Sequence, residues 1–302
     1  RENSTPLWIY EMDNTDEDYS ASFLSMSQDG NYVLIGLVPQ SNADNSKLIF
    51  FNKRNSTPLG THEFISGENH VIRDLDMSAD GQEVVVLTDS DEGTLVSLLS
   101  NEPGFSDDGQ WLTIQLHCPT CHSISISEDG DYFTMNEEHY ISLFSTHYPI
   151  VEYQEPLWVS AYLSDELREV DISANGEYII ARDSDRVYLW NRDSSLPLMN
   201  LEVDGPNHLV LSDDGKYFSY TTYDDSTNVS KVFLYSSEHQ SLLWYSLVSG
   251  QEFVSLAISS DGSYISSVDD VGKVYLYKNN LVERPSIFAY SHQYLNAFHK
   301  DI

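Results

Sequence analysis

The most regular feature of the chain is a short polar turn that recurs between two apolar stretches. Each copy reads Ser-x-Asp/Asn-Gly, and the alternation of apolar and polar residues around it is typical of β-strands. Asp or Asn can accept hydrogen bonds from backbone amides two residues on, and Gly supplies the positive φ of a tight hairpin. The six copies begin at Ser27, Ser78, Ser127, Ser173, Ser212 and Ser259. We therefore predict six hairpins whose carboxylates are structural rather than catalytic.

A second, more apolar element follows each turn. It is rich in β-branched and aromatic residues, which favour a strand buried on both faces. The six copies occupy residues 47–51, 94–98, 140–144, 186–190, 231–235 and 273–277. We predict that each forms the third strand of its unit.

A third element is a turn followed by a short strand, often with the sequence Pro-Leu-Trp. Its copies begin at Pro6, Pro58, Pro156, Pro197 and Leu242, and looser versions lie at residues 110–112 and 285–290. A single repeat cannot bury its own faces, so the recurring Trp is expected to pack between neighbouring repeats. We predict that these segments are outer strands.

The spacing of the repeats indicates the architecture. The turn glycines are 39 to 51 residues apart, about 46 on average, which is the period of a β-propeller blade. We predict an all-β fold in which residues 1–302 form a single propeller domain of six four-stranded blades, seven being the less favoured number, with residues 292–302 as a C-terminal tail. Seven outer strands compete for six places. Pro6–Tyr10 is therefore expected to close the ring beside Lys273–Lys278 or to pair with a neighbouring molecule.

The repeat resembles those of two propeller families. The order of third strand, polar turn and Leu-Trp is similar to that of quinoprotein-type (PQQ-like) propellers, and Ser-x-Asp-Gly resembles the inner hairpin of WD-repeat-like propellers. The resemblance extends from about Pro6 to Tyr290, although the repeats lack the Gly-His and Trp-Asp pairs of a standard WD repeat. It implies the fold and leaves the function open, because propellers include both enzymes and scaffolds.

The strong negative charge restricts the partners. Fifteen Lys and Arg against 48 Asp and Glu give a net charge of −33, which repels nucleic acid and anionic membranes. No apolar run reaches the length of a membrane span. The chain begins at Arg1 without an apolar leader, as expected if a signal segment was removed or the chain was trimmed. Asn-x-Ser/Thr sequons at Asn3, Asn55 and Asn228 are candidate glycosylation sites in an extracellular or cell-surface protein.

One local motif suggests specific chemistry. Cys118-Pro119-Thr120-Cys121-His122 contains both cysteines of the chain and matches the attachment signature of c-type haem, with His122 as the proximal ligand. A short disulfide in an oxidising compartment is an alternative, and half of a zinc site completed by His117 or His122 is another. The repeats place this motif in the loop that leads into the third blade.

Other functional motifs are weak. Acidic clusters at residues 13–18, 89–92 and 224–225 leave calcium possible, but none has the order of a calcium loop. The chain has no nucleophile elbow, phosphate-binding glycine loop or dinucleotide fingerprint. The favoured hypothesis is an extracellular or cell-surface binding or scaffold propeller with no cofactor, whose partner is another protein or a second copy of itself. A haem-carrying electron-transfer propeller and an enzyme with its site in the central channel are the alternatives.

Overall fold

The computed structural model describes residues 5–12, 19–40, 45–64, 70–90, 93–100, 112–118, 120–147 and 155–280. Within these ranges the chain folds into 23 β-strands, and no α-helix is present. The strands form six antiparallel sheets in chain order, five of four strands and the last of three. This confirms the prediction of an all-β propeller with six blades.

The first three blades use strands β1 to β12. In each blade the strands pair in chain order, from an inner first strand to an outer fourth strand. Blade 1 comprises β1 (Tyr19–Met26), β2 (Tyr32–Pro39), β3 (Lys47–Asn52) and β4 (Pro58–Glu63); blade 2 comprises β5 (Val71–Met77), β6 (Glu83–Ser90), β7 (Gly93–Ser100) and β8 (Leu112–His117); blade 3 comprises β9 (Ile124–Ile126), β10 (Tyr132–Glu137), β11 (Tyr140–Ser145) and β12 (Trp158–Val159).

The last three blades use strands β13 to β23. Blade 4 comprises β13 (Glu169–Ile172), β14 (Tyr178–Arg182), β15 (Arg186–Asn191) and β16 (Met199–Glu202); blade 5 comprises β17 (Pro206–Leu211), β18 (Tyr217–Asp224), β19 (Val229–Ser236) and β20 (Ser241–Ser249); blade 6 comprises β21 (Phe253–Ile258), β22 (Tyr264–Asp269) and β23 (Val274–Lys278). Residues 281–302, which include the predicted last outer strand and the tail, lie outside the described residues.

The Ser-x-Asp-Gly turns form the predicted hairpins between first and second strands. In blade 1 the Ser27 hydroxyl donates to Asp29 Oδ1 at 2.8 Å, and the same carboxylate oxygen accepts from Asn31 N at 2.8 Å. The Ser27 oxygen in turn accepts from Tyr32 N. Gly30 has φ of 65°, which explains the Gly because other residues are strained there. The corresponding bonds recur in all six turns, so these side chains are structural, as predicted.

Apolar clusters between adjacent blades form the core. The back of one blade, made by its second and third strands, packs against the front of the next, where the first strand contributes. Between blades 4 and 5, for example, Val187 and Leu189 meet Leu209, Leu211 and Phe218. The predicted third strands are buried in this way in blades 1 to 5. Five equivalent interfaces between neighbouring blades thus hold the described part of the fold together.

In the described ranges, the two ends of the series do not form such an interface. Inner strands of consecutive blades contact one another from β1 to β21, but β21–β23 make no comparable contact with blade 1 among the described residues. Pro6–Tyr10 lies on blade 1, where the Trp8 ring stacks on Phe51 with centroids 5.4 Å apart. In the described part of the chain, this segment is not paired with β23. We call the space between blade 6 and blade 1 the opening.

Candidate functional site

The cysteine motif lies where the sequence placed it, between β8 and the first strand of blade 3. Cys118 and Cys121 are joined by a disulfide, with Cα atoms 5.6 Å apart. Both are buried in the cluster between blades 2 and 3, beside residues such as Val96 and Ile124. Cys118 N also donates to Thr94 O at 2.9 Å. A pair joined in this way holds the loop against the core.

Asn136 fixes the backbone that follows the disulfide. Its Oδ1 accepts from His122 N at 3.1 Å and Ser123 N at 2.7 Å. Its Nδ2 donates to Leu167 O at 2.6 Å, in the loop that leads from blade 3 to blade 4. Because Asn136 is fully buried, these bonds satisfy groups that would otherwise be costly to bury. One amide therefore joins the loops before blades 3 and 4.

The His122 side chain points outward from this buried anchor. Its Nε2 lies 2.6 Å from Glu166 Oε1, and both side chains are about half exposed. An ionised carboxylate only accepts hydrogen bonds, so Nε2 carries the hydrogen in this contact. His122, Glu166 and Arg168 line a shallow, open pocket of about 240 Å³. An open pocket of this size, with charges of both signs, is suited to a side chain of a binding partner.

An aromatic group lies nearby, on the loop before blade 4 and at the β10–β11 turn. Tyr162, which is 64% exposed, stacks on His139 with centroids 4.6 Å apart, and Tyr140 meets its ring edge-on at 5.7 Å. Backbone bonds from Leu163 N to His139 O and from Leu167 N to Glu138 O hold the loop beside the β10–β11 turn. We call the surface formed by His122, His139, Tyr140, Tyr162, Glu166 and Arg168 the blade 3 patch.

A second polar group follows the inner strands around the channel. Asp74 and Asp76 in β5 each accept bonds from the next blade: Asp74 Oδ2 from Ile124 N, and Asp76 Oδ2 from Ile126 N and the Ser125 hydroxyl. Removal from bulk water raises the pKa of Asp74 to about 6, although two hydrogen bonds from blade 3 oppose the shift. These carboxylates satisfy the backbone of the neighbouring blade.

Asp171 in β13 continues this series. It accepts a 2.9 Å bond from Leu211 N of blade 5 and faces the Ser125 hydroxyl of blade 3 at 3.4 Å. Burial, together with the negative charge of Asp76, raises the pKa of Asp171 to about 7. Burial and the neighbouring Asp213 likewise raise the pKa of Glu128 to about 7. Four blades are thus linked by carboxylates that hold protons more tightly than usual.

The remaining predicted site residues are dispersed. His117 is in β8, where its backbone lies opposite Leu95. Asn55 and Asn228 are exposed, so both sequons are accessible, whereas Asn3 lies outside the described residues. Of the acidic clusters, residues 13–18 and 91–92 also lie outside them, and Asp224 is bonded to Ser226 and Thr227 of its own turn.

No metal centre is visible in the described ranges, since no three His, Cys, Asp or Glu side chains are grouped there as ligands. In the same ranges, no helix has the length and apolar character needed to span a membrane.

Sequence reasoning missed both the channel carboxylates and the aromatic group of the patch. Alternating acids in Arg73-Asp74-Leu75-Asp76 were a usable signal for a strand with one polar, channel-facing side. His139 and Tyr162 are 23 residues apart and meet only because two loops converge, so no local pattern marks them.

Comparison with solved structures shows which known fold the chain shares. No protein-family model matches the chain, and no curated protein matches it. Among solved structures, the C-terminal WD40 domain of Sif2 is 14% identical, with 90% of this chain and 70% of that chain covered and a TM-score of 0.67. The β-propeller domain of Cps50 (Swd1) from Myceliophteria thermophila is 11% identical, with 85% and 83% covered and a TM-score of 0.62. The fold is that of a WD40 β-propeller.

A chain of the mitotic checkpoint complex agrees with this assignment. It is 14% identical, with 89% of this chain and 76% of that chain covered and a TM-score of 0.63. The WD-repeat-like part of the sequence resemblance is therefore confirmed for the fold, and none of these three structures is described as a quinoprotein. At this level of identity, the WD40 likeness shows architecture alone.

Proposed function

We propose that this chain is an extracellular protein-binding scaffold whose partner docks on the blade 3 patch. The observation that carries the proposal is the exposed Tyr162, which stacks on His139 and lies on the same loop as Glu166 and Arg168, two of the three residues that line the pocket. Aromatic and Arg side chains on a preorganised surface are the residues that dominate binding energy in protein interfaces.

The patch is rigid for identifiable reasons. The Cys118–Cys121 disulfide and the Asn136 bonds fix one side, and the backbone bonds of Leu163 and Leu167 fix the other. A surface held in its bound conformation loses little conformational entropy when a partner binds. Arg168 also gives this surface a cationic group within a strongly acidic molecule. A partner with an acidic or aromatic side chain would fit the pocket.

Two features support an extracellular location. Short disulfides persist mainly in oxidising compartments. The sequons at Asn55 and Asn228 lie on exposed turns, where a glycan can be attached without disturbing the core. The channel carboxylates favour a scaffold over a channel enzyme, because Asp76 and Asp171 are already engaged by backbone amides of neighbouring blades.

The docking proposal is tested with a photo-crosslinking residue at position 162 of the full chain, exposed to the extracellular fraction of the source cells. The same residue at Tyr245, a partly exposed Tyr on blade 5, is the control. Once the cross-linked protein is purified, we expect Tyr162→Ala to weaken its binding at least about tenfold and Tyr245→Ala to change it less than about twofold. Equal effects, or no adduct at position 162, would refute the proposal.

Intact mass and the absorption spectrum of the same preparation test the cysteines. A disulfide gives the mass of the chain less two hydrogens and no Soret band. A haem-sized mass increase with a Soret band would replace the scaffold proposal with the electron-transfer alternative.

A further inference from the structure

Three polar side chains meet across the channel at the end that carries the Ser-x-Asp-Gly turns. Gln28 Nε2 of blade 1 donates to Glu128 Oε2 of blade 3 at 3.0 Å. The Glu128 carboxyl also shares a side-chain hydrogen bond with Asp213 of blade 5. Blades 1, 3 and 5 are not neighbours in the ring, so these contacts are made across the channel. We call Gln28, Glu128 and Asp213 the channel triad.

The residue types at the second position of the turns explain how the triad comes together. Around the ring, this position alternates between a larger polar residue and a small one: Gln28, Ala79, Glu128, Ala174, Asp213 and Ser260. The backbones at this position are bonded to one another, with Ala79 N donating to Glu128 O at 2.8 Å and Ala174 N donating to Asp213 O at 2.9 Å. Because the alanines end at Cβ, the Glu128 and Asp213 side chains have room to meet between them.

The contact between Glu128 and Asp213 requires a proton. An ionised carboxylate only accepts hydrogen bonds, so two carboxyl groups share one only when one of them is protonated. Removal from bulk water and the neighbouring Asp213 raise the pKa of Glu128 to about 7, and the negative charge of Asp76 adds to the shift. The Gln28 amide opposes the shift, because its N–H stabilises the ionised form. The groups that act most strongly on Glu128 include no cation. The pair therefore holds one proton near neutral pH.

A second shared proton lies on the inner strands, a few residues before the turns. The Ser125 hydroxyl of blade 3 is 3.0 Å from Asp76 Oδ2 of blade 2 and 3.4 Å from Asp171 Oδ1 of blade 4. A hydroxyl carries one hydrogen, so it donates to only one of two carboxylates, and the other contact needs a protonated carboxyl. Burial and the charges of Asp76 and Glu169 favour the protonated form of Asp171, and backbone amides oppose it. Two layers of the channel thus follow the same chemistry.

We propose that the channel triad is a proton-dependent switch, which holds the turns of blades 1, 3 and 5 together while the Glu128–Asp213 pair carries its proton and releases them when the proton leaves. Without the proton, two like charges remain in contact in a site that is partly withdrawn from water, where repulsion is strong. The contacts of Ser125 with Asp76 and Asp171 respond in the same direction. The switch does not depend on binding at the blade 3 patch.

The direction of the pH response follows from the sign of the shift. The pKa of Glu128 is raised from 4.5 to about 7 in the closed arrangement. A fall in pH through 7 therefore favours the closed arrangement, and a rise above 7 favours release. An acidic medium would hold this end of the channel closed, and a mildly alkaline medium would open it.

Carbon-13 NMR of the Glu side-chain carboxyls in the full chain measures the proton directly. We expect one carboxyl resonance to titrate near pH 7 and to be absent from Glu128→Gln. The control Glu238→Gln, on the exposed β19–β20 turn, should retain it. Asp213→Asn should lower the midpoint by about one pH unit or more, because it removes the neighbouring charge. If no Glu carboxyl titrates above about pH 6, or if Asp213→Asn leaves the midpoint unchanged, the proposal is overturned.

Amide exchange of Gly30, Gly130 and Gly215, each bonded to the Ser carbonyl of its own turn, measures the release. After correction for intrinsic rates, we expect exchange at least about tenfold faster at pH 8 than at pH 5.5. Glu128→Gln should remain slow at both values, because its amide can donate to Asp213 without a titrating proton. Glu238→Gln should behave as the unsubstituted chain. Equal exchange at the two pH values, or a pH response that persists in Glu128→Gln, overturns the proposal.

Discussion

The interface between blades 4 and 5 and the opening between blades 6 and 1 are built from equivalent residues but differ in environment. At the first, Leu189 is fully buried against Leu209 and Phe218, Tyr178 covers Gly215, and Ala174 N bonds to Asp213 O. At the second, Leu276, Leu24 and Tyr264 correspond to Leu189, Leu209 and Tyr178, and all three are exposed. The difference shows that each repeat supplies apolar faces to its blade. Such a face stabilises the fold only when a neighbouring blade covers it.

The largest effect is expected when one Leu side chain of the third strand is replaced by Ala. We expect Leu189→Ala to lower the free energy of unfolding by about 3 kcal/mol, because it leaves a cavity in a closed interface. The matched Leu276→Ala should cost less than about 0.5 kcal/mol, because Leu276 is mostly exposed. Chemical denaturation of the two variants measures both values. A similar cost at the two positions would mean that the opening is closed in solution.

A smaller difference in stability loss is expected when two turn glycines are each replaced by Ala. Gly262 and Gly30 have nearly the same φ, 66° and 65°, so replacement by Ala imposes the same backbone strain at both. At Gly262 the new Cβ also lies 2.8 Å from Tyr217 Cγ, whereas at Gly30 it meets nothing within 4 Å. We expect Gly262→Ala to cost about 1 to 2 kcal/mol more than Gly30→Ala. Equal losses in thermal melts would show that Gly30 is covered.

The pH dependence of stability should come from the buried carboxylates between blades 2 and 5, above all from Asp171. Asp171, with its pKa raised to about 7, binds its proton more tightly in the folded state than in the unfolded state. Above pH 7 the ionised Asp171 therefore lowers the free energy of unfolding by its full amount. This loss is relieved as the pH falls from 7 toward about 4, the ordinary pKa of an Asp side chain. We expect Tm to rise by a few degrees between pH 8 and pH 5.5.

Asp171→Asn separates this effect from the general loss of negative charge on acidification. The variant should show a smaller rise in Tm over the same interval, whereas Asp225→Asn, on an exposed turn, should retain the full rise. Ala257 occupies the equivalent position in blade 6, and Ser25 occupies it in blade 1, so the opening contributes no such group. If Asp171→Asn keeps the whole rise, the channel carboxylates are not its source.

Much of this fold could be predicted from the sequence, because turn chemistry is local. The six tetrads, the third strands and the position of Cys118–His122 follow from spacing and residue type alone. Exposure of Val274 and Leu276 could not be predicted, because their residue types match those of Val232 and Leu234. Among the described residues, the two pairs differ only in whether a neighbouring blade covers them, and the repeat pattern carries no information about that.

The candidate site was only half predictable. Cys118, Cys121 and His122 drew attention as a motif, and the structure brings His122 beside Glu166 and Arg168. The roles of Tyr162 and Asn136 could not be predicted, because both depend on contacts between blade 3 and the loop that leads into blade 4. Such contacts are set by tertiary packing and leave no periodic trace in the chain.

The most direct test of the account is the thiol-labelling rate of two single-cysteine variants of the otherwise unchanged protein. Leu234→Cys and Leu276→Cys occupy the same strand position in blades 5 and 6, and the Cys118–Cys121 disulfide does not react with maleimides. The account predicts that position 276 labels at the rate of a free thiol and position 234 at least about a hundredfold more slowly, since a buried position must first open. Comparable protection of both positions in the isolated monomer would contradict it.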